Sequence, residues 1–60
     1  MNEWRSINTA PEREVVETKI DDPMGGERNV RPLVKIENLW YLPDESMYVY
    51  YHPTHWRNVT

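Results

Sequence analysis

Apolar and polar residues alternate along this 60-residue chain in the two-residue rhythm of β-strands, broken by clusters of turn-forming residues. Between residues 14 and 20, Val16, Thr18 and Ile20 fall on one face and Val15, Glu17 and Lys19 on the other. That pattern predicts a strand with one buried side. Asp21, Asp22, Pro23, Met24, Gly25 and Gly26 then form a breaker, and residues 27–30 are expected to continue as a polar loop. A second strand is predicted over residues 32–37, with Val34 and Ile36 facing one way and Leu33, Lys35 and Glu37 the other. Asn38 bends the chain after it.

The clearest local signal is a hairpin near the C-terminus. Residues 39–42 and 47–52 are rich in β-favouring aromatics, and Pro43, Asp44, Glu45 and Ser46 between them suit a four-residue turn. Antiparallel pairing across that turn sets Leu42 opposite Met47, Tyr41 opposite Tyr48 and Trp40 opposite Val49. Such pairs contribute roughly 0.2–1 kcal/mol each. Pro53 is expected to end the second arm, after which the chain leaves through Thr54, His55 and Trp56. Near the N-terminus, Thr9, Ala10, Pro11 and Glu12 have the form of a capping box, with Thr9 as the N-cap and Glu12 reaching back. They predict either a short helical turn over residues 10–14 or a plain loop whose shape Pro11 sets. The expected architecture is α+β or mainly β: a three- to four-stranded antiparallel meander with at most one short N-terminal helix. It forms a single small domain over residues 1–60.

Composition narrows the function more than the fold. At this length a folded chain buries only about 60% of the surface its unfolded form exposes. Cysteine is absent, so disulfides, thiolate chemistry and Cys-based zinc sites are excluded. Apolar residues make up 38%, and the three Trp and four Tyr must supply much of the core area. The net charge of −3 argues against direct nucleic-acid binding and against an anionic membrane surface as partner. No stretch approaches the roughly 18 apolar residues of a transmembrane helix, and Met1 followed by Asn2, Glu3 and Trp4 reads as a native start rather than a signal peptide. A soluble cytoplasmic protein is expected.

Candidate catalytic chemistry is sparse. His52 and His55 stand three apart, but Pro53 lies between them and the preceding residues read as a strand, so they are expected to be turn histidines with local hydrogen bonds. Ser6 and Ser46 lack a glycine-flanked elbow. Asp21 and Asp22 lack the alternating oxygen ligands of a calcium loop, and Met24, Gly25 and Gly26 lack the lysine and helix start of a phosphate cradle. Paired carboxylates could be assembled from Glu12, Glu14 and Glu17, yet a small meander rarely builds the pocket a hydrolase needs. No enzyme activity, metal or cofactor is therefore expected.

Charge and aromatics point instead to binding. Residues 1–30 hold seven acids against four bases, and residues 36–56 contain no Lys or Arg beside Glu37, Asp44 and Glu45. An acidic surface of this kind suits a basic groove built for nucleic acid, although it also serves plain solubility. In a meander, Tyr48 and Tyr50 share one face with His52, and Tyr51 shares the other with Met47 and Val49. Several rings must then stay near solvent, where Tyr and Trp are enriched at interaction hot spots. Burial in a homodimer would also cover them.

Two segments carry a resemblance. Trp4, Arg5, Ser6, Ile7, Asn8, Thr9, Ala10 and Pro11 resemble the W-x-S-I-x-T-A-P opening of small phage and prophage proteins. The run from Asn38, Leu39, Trp40 and Tyr41 through Met47, Tyr48, Val49, Tyr50 and Tyr51 to Pro53, Thr54, His55 and Trp56 is similar to their C-terminal half, and its Thr-His-Trp ending resembles a DUF551-type phage domain. The Pro-rich tail that often follows Thr-His-Trp there is missing here. The resemblance implies a mobile-element protein acting in the cytoplasm of a bacterial host. By analogy with the small acidic proteins of such elements, the expected function is non-enzymatic inhibition of a host defence complex, of the anti-CRISPR type, by contact with a Cas effector subunit that blocks DNA binding. The expected contact set is Glu12, Glu14, Glu17, Asp21 and Asp22, with Asp44 and Glu45 at the hairpin tip as a second. The alternatives are a phage structural or accessory protein that self-assembles through its aromatic face, and an inhibitor of another host nucleic-acid-processing protein.

Overall fold

The chain forms one antiparallel sheet, described for residues 3–59 in a computed structural model. Its strands are β1 (Arg5–Ser6), β2 (Val15–Asp22), β3 (Gly26–Ile36), β4 (Leu39–Tyr41) and β5 (His55–Arg57), in spatial order β1-β5-β2-β3-β4. A 3-10 turn at Ile7–Thr9 is the one helical element among the described residues. The mainly-β expectation therefore holds, with five strands where three or four were expected. β2, β3 and β4 form the meander, and β5 returns to pair on the opposite side of β2.

Register explains which side became the core. Val16 pairs with Leu33, Thr18 with Trp56, and Lys35 with Trp40, which puts Val16, Thr18, Leu33, Trp40 and Trp56 on one face. Val16, Leu33, Trp40 and Trp56 are buried together there. Ile7, the first residue of the 3-10 turn, and Ala10 just after it pack against them, as do Leu42, Val49 and Tyr51 from the long strap between β4 and β5. The core thus lies between a sheet and irregular chain. The opposite face buries Val34, between Val15 and Tyr41, and carries Glu17, Lys19 and Arg57.

The β4 arm behaves as its pattern predicts. Tyr41 bridges Tyr48, Leu42 N–H donates to the Met47 carbonyl at 3.0 Å, and Val49 N–H donates to the Trp40 carbonyl at 2.8 Å. Residues 47–52 nevertheless do not become a regular strand, because Val49 and Tyr51 turn inward to cap the core while Tyr50 stays in solvent.

Three expectations are corrected. β3 begins at Gly26, so residues 27–30 are strand and not loop; pairing with β2 holds them although their side chains are exposed. An extra residue on β3 between Arg28 and Arg31 shifts the register, with Asn29 in the left-handed region at φ 56°. Residues 10–14 do not form a helical turn. Ser6 caps the 3-10 turn, while Thr9 donates to the Ser6 carbonyl at 2.8 Å and accepts from Trp56 Nε1 at 2.9 Å. Glu12 accepts from the Glu37 N–H instead of reaching back to Thr9. Finally, the segment after Pro53 does not leave the fold but enters the sheet as β5. Thr54 stitches it in: its N–H donates to the Lys19 carbonyl, its carbonyl accepts from Ile7 N–H, and its hydroxyl accepts from Asp21 N–H at 2.8 Å.

Candidate functional site

The expected acidic residues fall in four separate places, with Glu17 alone in the middle of β2. Glu12 and Glu14 precede β2, whereas Asp21 and Asp22 end it, roughly 25 Å away at the rise of an extended strand. Asp44 and Glu45 occupy the turn beyond β4, on the far side of β3. Most of these carboxylates already have partners. Glu12 holds the Glu37 N–H at 2.6 Å, and Glu17 pairs with Arg57 Nε at 2.5 Å. Asp21 lies 3.5 Å from Lys19 Nζ, and Asp22 accepts from Met24 N–H at 2.9 Å and faces Arg28. The Met24 hydrogen bond, helped by Gly25 and Arg28, holds the Asp22 carboxyl below its ordinary value. Ser46 does the same for Asp44 through its hydroxyl and N–H. Glu14 and Glu45 are exposed, with no side-chain ion pair or hydrogen bond among the described residues.

On the outer face of the sheet, Trp4 lies beneath two cations, with Lys19 Nζ 4.5 Å and Arg57 Cζ 4.2 Å from its ring. Lys19 is only 4% exposed and reaches Glu27 at 2.7 Å. This cluster anchors the N-terminal segment and neutralises its own charges, so it is read as structure.

Three tyrosines form a connected strip that is open to solvent at Tyr48 and Tyr50. Tyr41, Tyr48 and Tyr50 stack edge to face at centroid separations of 6.0 and 5.4 Å. Tyr50 is 84% exposed and Met47 53%. The turn that joins Tyr41 to Tyr48 carries Asp44 and Glu45, the latter in the left-handed region at φ 61°. One of the two expected acidic sets thus lies in the turn that joins two of these rings. A cleft of about 370 Å³ opens under this strip, lined by Leu42, Met47, Val49 and Tyr51 with Arg31 at its border. A second cleft of about 280 Å³ lies near the β3–β4 hairpin. His52 lines that second cleft, whereas His55 sits on β5 with Nδ1 2.8 Å from the Thr54 hydroxyl.

No protein-family model, curated protein or solved structure matches the chain. Among the described residues, no helix is long and apolar enough to cross a membrane.

The sequence pattern pointed to exposed tyrosines but not to their arrangement. The one available signal was the i, i+2 spacing of Tyr48 and Tyr50 together with the predicted Tyr41–Tyr48 pair. The burial of Lys19 had no local signal, because it depends on Trp4, Glu27 and Arg57 arriving from three other parts of the chain.

Proposed function

We propose that this chain is a non-enzymatic binding protein, phage- or prophage-encoded, that docks on a host nucleic-acid-processing complex and excludes its DNA. In its most specific form the target is a Cas effector subunit in the bacterial cytoplasm, and the protein is of the anti-CRISPR type. The observation that carries the reading is the strip of Tyr41, Tyr48 and Tyr50 beside the acidic turn of Asp44 and Glu45. Exposed rings supply desolvatable contact area at low entropic cost, and adjacent carboxylates suit the basic rim of a nucleic-acid groove. Glu12, Glu14, Glu17, Asp21 and Asp22 act in this reading as a diffuse field that speeds encounter, because they lie apart and most are internally paired.

The same strip favours a second reading, self-assembly of a phage accessory protein through its aromatic face. One experiment separates them. The purified protein is incubated with purified effector complexes, and co-elution and retention of labelled target DNA are measured. Co-elution with loss of DNA binding is expected. Concentration-dependent self-association, with no effector bound and DNA retention unchanged, would refute inhibition and select self-assembly.

A further inference from the structure

Five of the seven Lys and Arg side chains have a partner within the chain: Arg5 over Trp56, Lys19 by Asp21 and Glu27, Arg57 by Glu17 and, at the surface, Arg13 by Glu37 and Arg28 by Asp22. The other two, Arg31 and Lys35, have no carboxylate or ring partner among the described residues, and each lines one of the two clefts. Lys35 faces the cleft of about 280 Å³, which Asn8, Asn38 and His52 also line. These four side chains come from the 3-10 turn, from β3, from the β3–β4 turn and from the strap. All four carry hydrogen-bond donors, and no Asp or Glu is among the lining residues. Ile7, Trp40 and Pro53 complete the wall. In a chain of net charge −3, the lining of this cleft carries one ammonium and no carboxylate, with the Glu12 carboxylate held on the backbone behind it.

The backbone behind the cleft is unusually constrained. Arg13, Glu37 and Asn38 all have left-handed φ, at 62°, 48° and 73°. Arg13 N–H donates to the Lys35 carbonyl at 2.8 Å, and Glu37 N–H donates to Glu12 at 2.6 Å. These bonds hold the chain of Lys35 and Asn38 in a shape that neither Glu nor Arg favours. Glu37 and Asn38 are the two central residues of the β3–β4 hairpin turn, which itself calls for positive φ at both, so the fold fixes this wall of the cleft before any ligand arrives.

We propose that this cleft binds a small phosphate-bearing ligand. Lys35 and the Asn8 and Asn38 amides donate to the phosphate oxygens, His52 adds a ring N–H, and the remainder of the ligand lies against Ile7. Donors arriving from four elements suit a tetrahedral oxyanion better than a planar carboxylate with two oxygens. The volume equals roughly nine waters, enough for a phosphate and a few more heavy atoms and too small for a polymer.

The test is an NMR titration of the full chain with inorganic phosphate at fixed pH and ionic strength, with acetate as the parallel probe. Saturable shifts are expected at the Asn8 and Asn38 side-chain amides, the His52 ring and the Trp40 indole, with Kd on the order of 1 mM. Lys35→Gln should weaken binding about tenfold or more, the scale of one charge-assisted hydrogen bond, with spectra otherwise unchanged. Arg31→Gln, in the other cleft, should leave it unchanged. Linear non-saturating shifts, an unaffected Lys35→Gln, or a response to acetate without one to phosphate would each overturn the assignment. The result does not depend on whether the protein inhibits a host complex.

Discussion

Lys19 is 4% exposed, whereas the carboxylates that neutralise it, Asp21 and Glu27, keep 42% and 57% of their side chains in solvent. That asymmetry decides which partner is costly to lose. Lys19→Met removes the ammonium and leaves two carboxylates that water can hydrate, while the methionine stem fills most of the space. With half-exposed partners the lost ion pairs are worth about 0–1 kcal/mol, and burying an uncharged chain offsets part of that. Glu27→Gln removes the charge of the 2.7 Å partner from an almost wholly buried lysine, leaving Asp21 at 3.5 Å and the Trp4 ring. The loss of that charge-assisted bond should cost about 1.5–3 kcal/mol. At about 4–8 °C per kcal/mol for a domain of this size, Glu27→Gln should lower Tm by at least about 6 °C. Lys19→Met should stay within roughly 4–8 °C of wild type, and adding Asp21→Asn to Glu27→Gln should be worse than Glu27→Gln alone. Thermal melts followed by circular dichroism at pH 7 and low salt read all four proteins. A larger loss from Lys19→Met than from Glu27→Gln would refute the reasoning, since it would mean that the ammonium stabilises more than its burial costs.

Other consequences follow from the turns and stitches. The β3–β4 loop places Glu37 and Asn38 both at positive φ between paired Ile36 and Leu39, the geometry that favours Asn-Gly, so replacing the pair by Asn-Gly should stabilise by about 0.5–1 kcal/mol in urea unfolding. Thr54→Val keeps the volume but leaves Asp21 N–H without its 2.8 Å acceptor, and should cost about 1–3 kcal/mol by the same assay. Asp22 and Asp44 are both held below the ordinary carboxylate value of 3.8, so their stabilising contribution is complete above it and lost as pH falls through the lower folded-state values. The Tm difference between wild type and Asp22→Asn/Asp44→Asn should therefore be larger at pH 7 than at pH 2.5, and an equal difference at both would contradict the sign.

What the sequence made legible was local. Residues whose partners lie within a turn, such as Tyr41 with Tyr48 and Leu42 with Met47, pair in the register their alternation predicts. The breaker read over Asp21 to Gly26 contains the β2–β3 turn, but the strands run further into it than expected: β2 continues through Asp22 and β3 starts at Gly26, because backbone pairing carries residues 27–30 whose side chains bury little. β5 was missed for a different reason. Its three residues are held by Thr54 reaching Lys19 and Ile7, and by Trp56 reaching Thr9, contacts 35 to 47 positions apart that no local pattern encodes. Pro53 looked like a terminator and is in fact a buried link into the sheet. The acidic residues were visible as a count, but their placement at opposite ends of an eight-residue strand and beyond β4 required the topology.

The proposed inhibition rests on one surface, so the most direct measurement is a dose–response of DNA displacement from a purified effector complex by three variants. Tyr48→Ala/Tyr50→Ala and Asp44→Lys/Glu45→Lys should each raise the half-inhibitory concentration at least about tenfold, since both lie on the proposed docking strip. Glu14→Lys/Asp22→Lys, remote from it, should shift inhibition about threefold or less, and only at low salt. Inhibition that survives both strip variants and fails with the remote pair would contradict the aromatic-strip account.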